Sequence, residues 1–296
     1  MEFHLFLPQM RITAPQLVER AQAAEAAGFD GIAGMDHLTS IGAAYQPMFE
    51  AMTTCTWLAA HTSSITVSSL VLCDAFRHPA VLAQQAVSLD HMSGGRFELG
   101  IGWGSVVEEF HTFGVQPTDG SGRRRRLKET LDVLQGLWSG ETFDYDGRYF
   151  NLQGARQAPV PLRRIPILIG GAGPKTMALV AAHADWWNVH IGALDRLDEM
   201  RGAAGRARVS IQQMVGYVPA EQQRAEIMAV AQRRFGTDGL IVGNAEELAD
   251  RFGSLGELGV ERVYIGFSDF ARPETLSAFA ETVIAVLRRA RPASPG

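Results

Sequence analysis

The chain of 296 residues has few cysteines, no long apolar run and no dominant basic tract. Its two cysteines, Cys55 and Cys73, are too few for a disulfide framework, and their apolar surroundings predict reduced, buried thiols. Nowhere do about 18 apolar residues follow one another, so no membrane-spanning helix is predicted. The formal net charge of −5 gives no support to a nucleic acid or an anionic membrane as the main partner.

Several catalytic signatures are also absent. There is no HExxH, no clustered Cys/His pair and no G-x-S-x-G, so zinc hydrolysis and a nucleophile elbow have no support, and no metal site is predicted. The first ten residues have neither the basic nor the apolar region of a secretory signal. We therefore expect a cytoplasmic protein that acts on a small molecule.

What the sequence does contain is a regular alternation of short apolar strands and amphipathic helices. The eight predicted strands cover residues 2–8, 29–36, 65–72, 96–102, 167–170, 185–190, 208–218 and 262–267. This alternation favours an α/β (β/α)8 TIM barrel over a doubly wound sheet. We expect one domain over residues 1–290, an aromatic and proline-rich insertion at 141–164 between helix four and strand five, and a disordered tail at 291–296.

The stretch from His78 to Phe110 joins a helix, a glycine turn and a buried strand, and then opens into a second glycine-rich loop. This loop, Gly102-Trp103-Gly104-Ser105, follows the fourth strand. Glycines allow another surface to approach the backbone closely. Because catalytic groups of a barrel lie at the carboxyl ends of its strands, this loop is a candidate wall of the active site.

Polar residues occur at the ends of strands two, three and six. His37 follows Asp36 at the end of strand two and is suited to acid or base chemistry, although a helix cap followed by a surface histidine would read the same way. Ser69 follows another serine inside an otherwise apolar strand, so its hydroxyl must bond to backbone or lie near a ligand. On strand six, Asn188 and His190 share the face predicted to point into the barrel; a hydrogen-bonded core histidine is the alternative for His190.

Two further features point to anion binding. After strand five, the loop from Gly170 to Lys175 runs straight into a helix, and the free amides at the start of a helix attract phosphate. Glycines also simply make tight turns, so this signal is weak on its own. Four consecutive arginines, Arg123 to Arg126, form either a solvated helix face or a site for an anionic ligand tail.

Longer motifs add a resemblance. The chain contains LDHMSGGRFELGIGWG, then EEFHTFG, GRYF, PILIGGAGPKT and ADWWN, in that order. Together with FHLFLPQ near the start and VGNAEELADRF and GVERVYIGF near the end, these motifs resemble the bacterial luciferase-like flavin monooxygenase family. Within it, the chain is most similar to the coenzyme F420-dependent branch.

The resemblance implies where a cofactor would lie. A deazaflavin or flavin ring would rest against Ser69 and Leu70, where relatives have a non-proline cis peptide, and Gly102 and Trp103 would line it. Asp36 and His37 match an Asp-His pair that relatives place beside the reactive edge of the ring. The cofactor phosphate would lie on the loop made by Gly170, Gly171, Ala172, Gly173, Pro174 and Lys175.

The expected function is that of an F420-dependent oxidoreductase, which transfers a hydride between the deazaflavin and a small organic substrate, with His37 and His190 as catalytic candidates. Alternatives are an FMN-dependent monooxygenase that uses reduced flavin and O2, and a non-catalytic cofactor-binding barrel. Relatives that oxidise phosphorylated sugars carry tryptophan and glutamate where this chain has Ile41 and Ser105. Apolar surfaces on helices two and three predict a homodimer.

Overall fold

The computed structural model describes residues 1–42, 46–116 and 119–290. The strands are β1 (Glu2–Phe6), β2 (Gly31–Gly34), β3 (Thr66–Ser69), β4 (Leu72–Cys73), β5 (Phe97–Gly102), β6 (Phe143–Asp146), β7 (Asn151–Ala155), β8 (Ile167–Gly170), β9 (Trp186–Val189), β10 (Arg208–Tyr217), β11 (Leu240–Gly243) and β12 (Arg262–Phe267). The predicted disordered tail lies outside the described residues.

The helices alternate with these strands along the chain. They are α1 (Ala14–Ala27), α2 (Ala51–Ala60), α3 (Pro79–Ser93), α4 (Val107–Thr112), α5 (Gly120–Trp138), α6 (Pro174–His183), α7 (Leu197–Arg201), α8 (Arg224–Phe235), α9 (Ala245–Glu257), α10 (Pro273–Phe279) and α11 (Ala285–Ala290). A single π-helical turn, Ala280–Ile284, joins α10 to α11.

The strands close into a parallel barrel. The order β12-β1-β2-β3-β5-β8-β9-β10 returns to β12, because β10 pairs with both β9 and β12. Its interior is filled by a cluster that includes Phe6, Leu168, Trp186 and Tyr264, while a larger apolar layer lies between the strands and the helices. The predicted (β/α)8 TIM barrel is confirmed.

The third predicted strand is not continuous, which corrects the expected range of 65–72. β3 ends at Ser69, the Leu70–Val71 peptide bond is cis, and a two-residue strand, β4, then continues the pairing with β5. The bulge places Leu70 and Val71 at the mouth of the barrel. The cis peptide implied by the resemblance is therefore present, between Leu70 and Val71.

One strand was missed. β11 pairs with Met214 to Tyr217 of β10, on the edge that β9 leaves free after Val189. Its four residues, LIVG, are too short to stand out between two helical patterns. The only local signal is Asn244, which forms a capping box with Glu247 and starts α9 directly after the strand.

Two other predictions concern helix α2 and the insertion. The mixed apolar residues between strands two and three predict a helix at 47–60. The helix begins only at Ala51, because the side chain of Glu50 caps the amides of Met52 and Thr53. The insertion between α5 and β8 forms the antiparallel hairpin β6-β7, as expected from its aromatic residues. Backbone amides of its turn, including that of Tyr149, donate to the Glu129 carboxylate on α5.

The amino-terminal end of the barrel is closed by a buried ion cluster. Arg262 is 3% exposed and donates to Glu98 (Nη2 to Oε1, 3.1 Å) and to Glu2 (Nε to Oε2, 2.7 Å). Its guanidinium also lies 3.7 Å from the centre of the Trp186 ring. Because charge and aromatic rings fill this end, the opposite end remains for a ligand.

The close approach of β5 to the bulge yields a first prediction. A Cβ added at Gly100 would lie 1.9 Å from the carbonyl oxygen of Ser69, so Gly100→Ala must push two backbones apart. We expect the free energy of unfolding to fall by about 1–3 kcal/mol, the usual cost of overpacking, in urea denaturation. Gly202→Ala is the matched control, because Gly202 is helical (φ −60°) and a Cβ added there would meet no atom within 4 Å. Equal stability of the two variants would contradict the role of Gly100.

Candidate functional site

A cavity of about 680 Å³ lies at the carboxyl ends of the barrel strands. This volume is typical of sites for small molecules and cofactors. The lining residues come from the ends of β2, β3 to β5 and β8 and from the starts of α5 and α6. They are His37, Leu70, Val71, Leu72, Cys73, Gly102, Trp103, Gly104, Ser105, Arg124, Gly170, Gly171, Ala172, Gly173, Pro174, Lys175 and Thr176.

The floor of the cavity is apolar and depends on a glycine. Leu70 and Val71 occupy the bulge and also pack against the cluster inside the barrel. A Cβ on Gly102 would come within 2.9 Å of a Val71 methyl group. Gly102 therefore lets the bulge lie flat against β5, which makes a shelf on which a planar ring could rest.

The wall beside this shelf is formed by the Gly102–Ser105 loop. Trp103 lines the cavity, and Gly104 has a φ of +79°, which favours glycine. A Cβ there would also meet the Phe110 ring at 2.4 Å and the Cys73 sulfur at 2.9 Å.

Burial raises the pKa of the Cys73 thiol to about 12, so this lining group is a neutral thiol at physiological pH. Both cysteines are buried, as expected.

The loop after β8, predicted to be an anion cradle, lines the cavity. Gly171 has a φ of +122°, its amide donates to the carbonyl of Asn188 (3.2 Å), and its carbonyl accepts from Trp187 Nε1 (2.6 Å). Gly173 starts α6 without any side-chain cap, and a Cβ added there would meet nothing within 4 Å. Pro174 has no N–H and the Thr176 amide donates to the Gly173 carbonyl (2.8 Å), so the backbone of this helix start offers few free donors. The positive end of the ten-residue helix and the Lys175 side chain border the cavity.

The four arginines do not form one solvated face. Arg125 is exposed, but Arg123 is 5% exposed and lies 5.0 Å from the Trp103 ring, and Arg126 is buried against Asp74 (2.6 Å). Arg124 lines the cavity, 5.4 Å from the Trp103 ring. The solvated-face interpretation is therefore confirmed for Arg125 and wrong for Arg123 and Arg126, because these two share the buried face of α5 with Leu127 and Thr130.

His37 lies in the same cavity and has a partner that the motifs alone did not single out. Its Nδ1 is 2.8 Å from Oε2 of Glu109, which is 5% exposed. The other oxygen of Glu109 accepts from the amides of Leu38 (2.7 Å) and Thr39 (3.0 Å). The EEFHTFG motif contains Glu109, which fits the commoner pattern of the family but could equally serve only to start the following helix. Its contact with His37 was not predicted.

Asp36 lies behind the cavity and is not one of its lining residues. Its Oδ2 accepts from the Cys73 amide (2.8 Å) and from Arg77 Nη1 (2.6 Å), and its Oδ1 accepts from Arg77 Nη2 (3.0 Å). Arg77 also pairs with Glu50. With both oxygens taken by these groups, the contact of Asp36 with a cofactor ring stays a prediction, without support from this geometry.

Two more predicted site residues have other partners. The Ser69 hydroxyl donates to the Gly100 carbonyl (3.0 Å), so the backbone alternative holds for it. His190 is exposed and caps the following 3₁₀-helix by accepting from the Gly192 amide (3.1 Å). Neither lines the cavity. Asn188 donates to the Ser210 hydroxyl (3.2 Å), a contact between neighbouring strands.

The described residues contain no cluster of three or more His, Cys, Asp or Glu side chains that could hold a metal ion. Within the same ranges, no helix has the length and apolar composition needed to cross a bilayer. The donor groups of the cavity are instead amides, a histidine ring and two cationic side chains. They suit a planar organic ligand that carries an anionic group.

The family follows from the sequence profile that matches this chain. The profile described as luciferase-like monooxygenase aligns with residues 1–218, which is most of the chain and includes every residue that lines the cavity. The chain belongs to the luciferase-like monooxygenase family. The family resemblance of the motifs is thus confirmed.

The proteins similar to this chain have names that describe different activities. An F420-dependent glucose-6-phosphate dehydrogenase of Microbacterium testaceum is 31% identical over 210 residues, 65% of this chain and 60% of that protein. The match thus spans less than two thirds of that relative's length. A solved F420-dependent secondary alcohol dehydrogenase with an F420–acetone adduct has a TM-score of 0.80 at 21% identity, covering 96% of this chain and 98% of its own.

A second solved structure was determined with a flavin. Riboflavin lyase, solved with modified FMN and riboflavin, has a TM-score of 0.82 at 14% identity and covers 98% of this chain and 91% of its own. At these identities, the two solved structures establish the shared barrel and not the reaction.

The Asp36–Arg77 pair gives a prediction about this luciferase-like barrel. The Asp36 and Arg77 side chains are 3% and 11% exposed, and Arg77→Met would leave the carboxylate buried without its cation. Breaking a buried pair in this way costs about 3–5 kcal/mol, which urea denaturation would measure. Arg224→Met is the matched control: Arg224 pairs with Glu221 and Glu247, which are 68% and 51% exposed, so little stability should be lost. A stable Arg77→Met variant would show that the pair does not hold the mouth.

Proposed function

We propose that this protein is a coenzyme F420-dependent oxidoreductase that transfers a hydride between the deazaflavin and a small organic substrate. The observation that carries the proposal is that one cavity combines an apolar shelf, a phosphate cradle and the ring of His37. The names of the F420-dependent relatives support the choice of cofactor. Because the match covers 60% of the Microbacterium testaceum relative, the activity of the whole protein is also part of this proposal.

The residues fit such a cofactor at both ends. The shelf of Leu70 and Val71, with Trp103 as a wall, suits a planar tricyclic ring. The open helix start at Gly173 and the Lys175 ammonium suit a phosphate. Arg124 adds a second cation on the α5 side, which favours a ligand with a longer and more anionic tail.

The cofactor, when bound, supplies a carbon that accepts or donates a hydride. The chain contributes the rest. The shelf orients the ring and the cradle binds its phosphate. His37 acts as an acid or base on the substrate's hydroxyl or carbonyl oxygen, or binds that oxygen by a hydrogen bond. Trp103 and the apolar floor limit access of water to the reacting atoms.

An FMN-dependent monooxygenase is the second candidate, because the cradle would accept an FMN phosphate equally well and a riboflavin lyase with modified FMN shares the barrel. A non-catalytic cofactor-binding barrel is the third, since fold does not determine function. Sugar phosphates are not proposed as substrates: Ile41 and Ser105 replace the tryptophan and glutamate that the resemblance associates with their oxidation.

The proposal includes a cytoplasmic homodimer. Trp57 on α2 is 47% exposed and Val81 on the neighbouring α3 is 53% exposed, which leaves apolar surface on the two helices from which the sequence predicts pairing. Burying such groups between two copies would stabilise a dimer.

The first test measures cofactor affinity by fluorescence titration of the purified protein with F420 and, separately, with FMN. We expect F420 to bind, and Arg124→Ala and Lys175→Ala each to raise its Kd about tenfold or more, because each loses a charge-assisted hydrogen bond. Arg125→Ala is the matched control, since Arg125 is exposed and binds only Ser121 among the described residues. Micromolar binding of FMN with no deazaflavin binding would overturn the cofactor assignment.

The second test asks whether His37 takes part in chemistry. With F420 and a panel of alcohols and carbonyl compounds, we expect His37→Ala to lower kcat about 10²- to 10⁴-fold, the usual contribution of a general acid or base. The Kd of the cofactor should change little, because the cradle lies on α6. Turnover that is unchanged in His37→Ala would favour the non-catalytic barrel.

A further inference from the structure

Glu109 is a buried acid whose two oxygens have different partners. Oε1 accepts from the amides of Leu38 and Thr39, at 2.7 and 3.0 Å, and lies 3.5 Å from the Thr39 hydroxyl. Oε2 lies 2.8 Å from Nδ1 of His37. Since backbone amides only donate, they hold Oε1 in place and leave Oε2 for the ring.

We infer that Glu109 is a positioning residue that keeps the proton of His37 on Nδ1 and leaves Nε2 as a hydrogen-bond acceptor for the ligand. An ionised carboxylate can only accept hydrogen bonds, so the imidazole must donate to it from Nδ1. A neutral imidazole has one N–H, and the other ring nitrogen then carries a lone pair.

The same carboxylate also sets the position of the ring. Glu109 belongs to α4, which follows β5, whereas His37 to Thr39 follow β2. Its hydrogen bonds therefore tie two loops of the mouth together. Because one side chain fixes both the tautomer and the location of the ring, the ring is preorganised before a ligand binds.

The inference rests on the proposed function for its catalytic consequence. With a deazaflavin bound to accept the hydride from the alcohol's C–H bond, the alcohol's O–H proton would move to Nε2 of His37 as the C=O bond forms. An unprotonated Nε2 is required for this proton transfer, and the Glu109 carboxylate stabilises the imidazolium that results. In the reverse direction the imidazolium returns the proton to the new hydroxyl.

Glu109→Gln tests the assignment by exchanging one oxygen for an NH₂ group. The amides of Leu38 and Thr39 would keep the remaining oxygen, so the NH₂ would point at Nδ1 of His37 and require it to accept. The proton would then move to Nε2. We expect 15N NMR of selectively labelled, cofactor-free protein, with the His37 signals assigned among the eight histidines by His37→Gln, to record this exchange of tautomer.

Glu108→Gln is the matched control, because Glu108 is an exposed neighbour on the same helix, and it should leave the His37 tautomer unchanged. Wild-type protein with the proton of His37 on Nε2 would overturn the inference, even if the Glu109→Gln variant failed to fold. A folded Glu109→Gln variant that keeps the proton on Nδ1 would overturn it too.

Kinetics separate this inference from the proposed function. If F420 binds and is turned over, Glu109→Gln should lower kcat up to about 10⁴-fold, as loss of the correct tautomer does in other histidine sites, while the Kd of F420 stays within twofold. An unchanged kcat would contradict the catalytic consequence. Failure of F420 to bind wild-type protein would overturn the proposed function and leave the tautomer result standing.

Discussion

The mouth of the barrel depends on the carboxylate of Asp36. It lies at the end of β2 and holds both the guanidinium of Arg77 and the amide of Cys73, just after the bulge. Arg126 on α5 in turn donates to the Arg77 carbonyl (2.9 Å). The Asp36–Arg77 pair therefore connects the end of β2 to β4 and to α5. Such a buried pair restricts the conformation of the mouth, because separating the partners would leave a buried charge without its counterion and would destabilise the fold.

Once this framework is set, the charges of the mouth divide into two groups. Asp36 and Asp74 are neutralised by arginines behind the cavity, and Glu109 is held by His37 and two amides. Arg124 and Lys175 instead line the cavity without an ion pair among the described residues. The protein thus uses its buried acids to build the mouth and leaves cations and one histidine for a ligand, which suits an anionic cofactor.

Glycines decide how closely the parts of the mouth approach one another. Gly100 faces the carbonyl of Ser69, Gly102 faces Val71, and Gly104 lies between Phe110 and Cys73. All three belong to the stretch that the motifs single out, and there the glycine pattern predicted close approach correctly. The pattern could not indicate which group approaches each glycine. At all three positions it is another residue of the protein and not a ligand.

The sequence by itself determined the alternation of strands and helices, the insertion, the family, and the cavity residues on the glycine-rich loops, because periodicity, turns and motifs are local properties. Only the tertiary structure decided the partners of the charged residues. Asp36 and Arg77 are 41 positions apart and His37 and Glu109 are 72 apart, and their contacts exist because parallel strands bring their carboxyl ends together. For the same reason β11 escaped prediction: its place is set by the edge that β9 leaves open on β10.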